Sequence, residues 1–404
     1  MSGLVNRMLG DLVVDAKPGF ACGEEDPDGI FQIRMNNITR SGRLDLAKKR
    51  YVPADHKSAG NTLLRSGDVL FNATNSPDLV GKTLLFPGLD EPTVFSNHFL
   101  RLRTDIEQLA PAYLAHWLRE QFQRGVFKSM CRQWVNQATV GRESLLGISL
   151  PVPPLAVQYE IVSALDHVEA LRAKRREALS LLDDLAQFIF LEMFGDPARN
   201  PNGWPMGKIA DLISSASYGT SEKASETGDI PVLRMGNITA SGQIDLGDLK
   251  FMDRASVPDK HLVRRGDILF NRTNSAELVG KSAIYRGSGE LAYAGYLVRV
   301  RMNDANDPEY LAAFLNARYA KRVLRGMCKS IVGMANINAR ELQGISIAKP
   351  PLNLQIEFAK RIGSIESLRG VHWRHLAELD ALFVSIQSRA FHGGLWQGSA
   401  MSVA

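Results

Sequence analysis

The chain has 404 residues, of which 45% are hydrophobic, enough for two or three domains with packed cores. A formal net charge of +5 is mildly basic; it admits a nucleic-acid partner without requiring one. Three cysteines exclude a disulfide framework, no apolar run is long enough to cross a bilayer, and the N-terminus lacks signal-peptide order, so a cytoplasmic protein is expected.

In chain order, Leu9 to Val13 forms a short opening element. Residues 30–34 read as a strand broken by Asn36-Asn37, and Ser41-Gly42 is a turn. A second turn, Ser66-Gly67-Asp68, feeds a strand at 69–71; residues 72–77 are polar and read as a loop. Two more strands are expected at 84–86 and 99–102. Residues 111–130 carry Tyr113, Leu114, Trp117, Leu118 and Phe122 at helical spacing.

Pro153-Pro154 then opens a long helix, since proline at a helix start forfeits no hydrogen bond. Its apolar stripe is Ile161, Leu165, Val168 and Leu171, then Leu182, Leu185 and Ile189, with a charged stretch at 172–177 that reads as solvated. A helix of about 35–40 residues is far longer than usual and needs a partner along its length.

From residue 197 the plan repeats. Gly266-Asp267-Ile268-Leu269-Phe270-Asn271-Arg272-Thr273-Asn274-Ser275, followed by Leu278-Val279-Gly280-Lys281, copies Gly67-Asp68-Val69-Leu70-Phe71-Asn72-Ala73-Thr74-Asn75-Ser76 and Leu79-Val80-Gly81-Lys82. Ile230 through Leu246 parallels Ile30 through Leu46, and Met327-Cys328-Lys329 parallels Met130-Cys131-Arg132. The repeat is domain-sized, far longer than a solenoid unit. After Pro350-Pro351 a second stripe follows: Phe358, Ile362, Ile365 and Leu368, then Leu376, Leu379, Leu382 and Ile386. The expected fold is mixed α and β: two duplicated globular domains, 1–150 and 197–350, with long helices at 151–196 and 351–394 and a tail at 395–404. The helices would pack antiparallel within one chain; exchange with a second molecule is the alternative.

These motifs resemble the specificity subunit of type I restriction–modification systems, and the resemblance spans essentially the whole chain. It rests on Arg265 through Lys281, and on the segment Ile337-Asn338, Leu342, Ile345, Ile347, Pro350-Pro351 and Gln355 with the long helix behind it. It implies two target-recognition domains, each reading one half of a split, asymmetric DNA sequence. It also implies two helical regions that set the spacer and dock two methyltransferase subunits, with motor–nuclease subunits able to join. Few residues precede Leu9, so no extended N-terminal arm is expected.

The candidate DNA-contacting residues follow from chemistry and from the repeat. Asparagine can bond bidentately to adenine and arginine to guanine. In the first copy the candidates are Arg34, Asn36, Asn37, Arg40, Arg43, Asn72, Thr74, Asn75, Lys82, Lys128 and Arg132. In the second they are Arg234, Asn237, Gln243, Asn271, Arg272, Thr273, Asn274, Lys281 and Lys329. Residues kept in both copies suit structure or backbone contact, and the asparagines among them equally suit turn capping. Specificity is expected from residues that differ: Asn36 against Gly236, Arg40 against Ala240, Arg43 against Gln243, and Ala73 against Arg272. A basic excess at 318–340, echoed at 119–142, suits phosphate.

Val279-Gly280-Lys281-Ser282 ends like a phosphate-binding loop, but Ser275 stands where that motif requires glycine. No methyltransferase signature, duplicated histidine pair or catalytic triad is present in the sequence. The chain is therefore expected to be non-catalytic and to need no cofactor or metal. A two-domain scaffold without direct DNA recognition is the alternative function.

Overall fold

A computed structural model describes residues 5–134, 137–275, 278–331 and 334–392; the expected tail at 395–404 lies outside the described residues. The chain forms two compact units. The first comprises residues 1–174 with 376–404, and the second comprises 175–375. Each unit therefore joins one globular part to stretches of both long helices, Leu155–Phe194 and Leu352–Phe391.

In the first unit an antiparallel sheet has the order Val13–Pro18, Phe99–Thr104, Val69–Asn72, Thr83–Leu85. A mixed sheet pairs Ile30–Ile33 antiparallel with Tyr51–Val52 and parallel with Thr93–Phe95. A short strand Thr74–Asn75 pairs with Gln137–Thr139, which pairs in turn with Arg132–Trp134. Residues 72–77 are thus not all loop: Asn72 ends one strand and Thr74–Asn75 begins another, because Gln137–Thr139 supplies a distant partner. Asn6–Met8 pairs with Ser149–Pro151, tying the start of the globular part to the entrance of the long helix.

The second unit repeats this plan. Its antiparallel sheet has the order Ile213–Tyr218, Leu297–Met302, Ile268–Asn271, Ser282–Ile284. Thr273–Asn274 pairs with Met334–Asn336, and Met206–Lys208 with Ser346–Ala348. The helical region breaks differently in the two copies. Helix Pro111–Gln123 yields to Val126–Met130 at Gly125, whose φ of 77° favours glycine. In the second copy Pro308–Asn316 and Arg318–Met327 meet at Ala317. Cys131 and Cys328 are free and half-buried, each directing its thiol at a helix carbonyl.

The long helices run antiparallel within each unit. In the second unit rising positions on one meet falling positions on the other: Arg175 faces His372, Asp183 faces Arg369, and Phe190 packs on Phe358. In the first, Ile161, Leu165 and Val168 share a core with Phe383, Ala390 and Phe391. The seam departs from the expected stripe at three positions: Leu185, Leu368 and Leu382 are exposed. Leu171, Ile189, Leu379 and Ile386 are half-buried, while Leu182, Ile362 and Ile365 are buried as the stripe predicts. Over forty residues a fixed face drifts around the helix, so Leu179, Phe190, Phe194, Phe383 and Phe391 take over. The charged break at 172–177 is also not simply solvated. Arg172 donates to Asp380 at 2.6 Å and lies 4.6 Å from the centre of the Phe383 ring.

A duplicated joint fixes each globular part to its helix. The Gln158 side chain is fully buried; its Oε1 accepts from Ala110 N–H, and its Nε2 donates to the carbonyls of Gln108 and Pro153. Gln355 is equally buried; its Oε1 accepts from Asp307 N–H, and its Nε2 donates to Asn306 Oδ1 and to the Pro350 carbonyl. Tyr113 and Tyr310 donate their hydroxyls to the carbonyls of Pro151 and Ala348, and burial pushes both phenols well above the ordinary tyrosine range.

Candidate nucleic-acid interface

Two loops in each unit hold most of the candidate residues. The first leaves strand Ile30–Ile33, makes a turn at Met35–Asn37, and closes through a bridge between Ile38 and Leu44. Its shape is set from inside. Asn37 Oδ1 accepts from Arg34 N–H at 3.0 Å, and its Nδ2 donates to the Asp45 and Lys48 carbonyls, both at 2.9 Å. The Thr39 hydroxyl oxygen accepts from Arg43 N–H. Lys82 donates into the same turn, to the carbonyls of Met35 at 2.8 Å and Ile38 at 2.5 Å. In the second unit Asn237, Thr239 and Lys281 make the same bonds, Asn237 to the carbonyls of Asp245 and Asp248 and Lys281 to those of Met235 and Ile238.

Asn37, Asn237 and Lys82 are therefore corrected as DNA contacts: all are buried, and their polar atoms are spent on the loop. Lys281 is half-buried and equally committed. Burial pushes both lysine ammoniums below the ordinary lysine range, with Arg40 adding to the effect at Lys82. What the loops leave outside is Asn36, Arg40 and Arg43 in the first unit, and Gly236 and Ala240 in the second. Gln243 is half-buried and donates to Glu366 on the long helix at 3.3 Å. Arg34 and Arg234 are half-buried, and Arg234 pairs with Asp248 at 2.9 Å.

The second loop follows the central strand. Asn72 is fully buried; its Nδ2 donates to the carbonyls of Thr74 and His98, and its Oδ1 accepts from Asn75 Nδ2 at 2.6 Å. Asn271 and Thr273 are also buried. These three are likewise corrected: no base edge can reach a side chain that is enclosed. Thr74, Asn75 and Asn274 are half-buried; Thr74 and Thr139 share a hydroxyl contact at 3.2 Å, and Asn75 and Asn274 accept from the next residue's N–H. Arg272 is half-buried, with its guanidinium 4.8 Å from the Tyr218 ring centre and Nη2 donating to Asn336 Oδ1 at 3.2 Å. Its counterpart Ala73 is buried. Lys128 is exposed and paired with Asp78 at 2.7 Å. Arg132 and Lys329 lie in edge strands, and their side chains are outside the described residues.

A duplicated ion-pair lattice was missed by the sequence reading. Arg103 donates to both carboxylate oxygens of Asp68, at 2.6 and 3.0 Å, and Arg301 does the same to Asp267, at 2.7 and 3.0 Å. Beside them, buried Arg101 holds Asp15 and the Leu63 carbonyl, and buried Arg299 holds the carbonyls of Lys260 and Leu262. The signal was available: Arg101-Leu-Arg103 and Arg299-Val-Arg301 are repeat equivalents, and so are the Gly-Asp pairs they anchor.

Two β-rich domains, each carried on an antiparallel pair of long-helix stretches, are an arrangement similar to that of solved type I restriction–modification S subunits. The chain closely resembles such subunits in sequence and in fold. It is 24% identical over 389 residues to the type I restriction enzyme EcoKI specificity subunit of Escherichia coli K12, covering 91% of this chain and 83% of that protein. It is 24% identical over 383 residues to the StySPI specificity subunit of Salmonella potsdam, covering 90% and 82%. Among solved structures, the type I S subunit from M. genitalium superimposes with a TM-score of 0.59 at 13% identity, covering 96% of both chains. A chain solved in work on complex assembly of the type I R-M system gives 0.54 at 21% identity, covering 98% of this chain and 99% of that one. No protein-family model matches the chain.

Proposed function

We propose that this chain is the sequence-specific DNA-binding subunit of a type I restriction–modification complex. The observation that carries the reading is the likeness to specificity subunits along nine-tenths of the chain. Each globular domain reads one half of a split, asymmetric duplex target, and the helix pair sets the spacer and docks two methyltransferase subunits, to which motor–nuclease subunits add. The chain confers specificity on these partners and is not itself the enzyme. Among the described residues, no helix is long and apolar enough to cross a membrane.

In the first domain the reading surface includes the exposed part of the first loop, Asn36, Arg40 and Arg43; in the second, where Gly236 and Ala240 replace Asn36 and Arg40 and Gln243 is held by Glu366, it includes Arg272. The loops are stiffened from beneath by Asn37 with Lys82 and by Asn237 with Lys281, so the exposed side chains meet DNA with little left to order. Methylome sequencing of the host with and without this gene tests the function. Loss of one split, asymmetric methylated motif is expected; an unchanged methylome with the partner subunits expressed would overturn it and favour a scaffold.

A further inference from the structure

We propose that Arg318, Arg322 and Arg325 form a strip on the second unit that grips the DNA backbone, and that the first unit has no equivalent. The inference rests on the DNA-binding reading above and adds to it a surface and an asymmetry. Helix Arg318–Met327 buries Ala320 and Leu324 and leaves these three arginines exposed. Spacings of four and three put them on one narrow face opposite the buried residues. Among the described residues none of the three joins a carboxylate.

The arrangement carries an electrostatic cost within its own helix. Like charges at these spacings repel, and Arg318 stands at the first position of its helix, where the helix dipole disfavours a cation. An external polyanion removes both penalties. The strip is about 10 Å long, a length over which one strand of duplex DNA carries about three phosphates. It is also well placed. From the same helix Lys321 donates to the Gly280 carbonyl at 2.8 Å, and Gly280 N–H donates to the Asn271 carbonyl at 2.8 Å, so the helix is seated on the loop that carries Arg272.

The first copy differs at each point. Gln121 and Gly125 occupy the positions of Arg318 and Arg322, and Lys128, opposite Arg325, is neutralised by Asp78. Arg124 is occupied by Glu120 and His392. Glu277, the counterpart of Asp78, lies outside the described residues; Arg318 and Arg322 are the two positions of the strip at which the second copy carries a charge and the first does not.

The test is binding of the full chain to a labelled random-sequence duplex across a series of KCl concentrations. Replacing all three arginines by alanine should lower the slope of log affinity against log salt by about two to three units, and each single replacement by about one. Lysine at all three positions should restore the slope, because a phosphate grip needs only charge. Arg124→Ala with Lys128→Ala should change it by less than one. On duplexes carrying the split target, the arginine variants should weaken all sequences alike and leave half-site preference intact. Wild-type binding with a steep slope that the triple alanine variant keeps would overturn the strip and leave the DNA-binding reading standing. A wild-type chain with no salt-dependent duplex binding would overturn both.

Discussion

Arg272 shows how one side chain can be half structural and half available. Tyr218 and Asn336 fix its plane, and Ala73 stands in its place in the other copy. Arg272→Ala should therefore impair the second domain only. Its basic surroundings favour phosphate, so the salt slope should fall by about one unit with half-site preference unchanged. Relaxation of a single base position in a randomised-library competition would instead assign it to a base edge. Lys321 offers a pH test at the same scale. Burial, aided by Arg325 and Lys281, pushes its ammonium down to about 8 from 10.5. Between those values the unfolded chain holds more protons than the folded one, so this group's contribution to stability rises with pH across that window and is lost as pH falls through about 8. Urea melts at pH 7 and 10 should show wild type gaining on Lys321→Met at the higher pH.

At the scale of elements, the first loop and the helix joint are each held from inside by a small set of enclosed polar side chains, Asn37 with Lys82 and Gln158 with Tyr113 in the first copy. Lys82→Met removes the donor from two carbonyls of the turn at Met35–Asn37. The expected result is faster hydrogen exchange over that turn with no change in salt slope, since the ammonium never faces solvent. A slope lowered by about one would return Lys82 to the DNA surface. Gln158→Ala leaves the Ala110 N–H and the carbonyls of Gln108 and Pro153 without their partner. A loss of about 3 kcal/mol in denaturant unfolding is expected, because each stranded buried group costs about 1–3 kcal/mol. Phe358→Ala opens the aromatic seam with Phe190 and Phe194 and should cost about 3–5 kcal/mol.

For the whole molecule, the proposed function makes the helices the assembly element as well as the ruler. Leu182 is buried and Leu379 half-buried in the helix seams of their respective units. Replacing both with aspartate strands a charge in each seam, and co-purified methyltransferase should separate from the chain on size exclusion. An intact complex of unchanged composition would show that docking does not depend on the seam.

Much of this organisation is written in the chain itself. A duplicated domain-sized unit, two forty-residue helices and their apolar stripes follow from repeat spacing and helical periodicity, which are local properties. The composition of the site was not legible in that way. The repeated stretch around Gly67 and Gly266 looked like a reading loop, yet Asp68, Asn72 and Lys82 spend their polar atoms on arginines and carbonyls far along the chain. Asparagine and lysine have the same chemistry whether they face a base or a backbone carbonyl, and only the fold decides which partner is within reach. The stripe failed at Leu185, Leu368 and Leu382 for a related reason: periodicity defines a face, but the neighbouring helix and domain decide how far along its length that face stays covered.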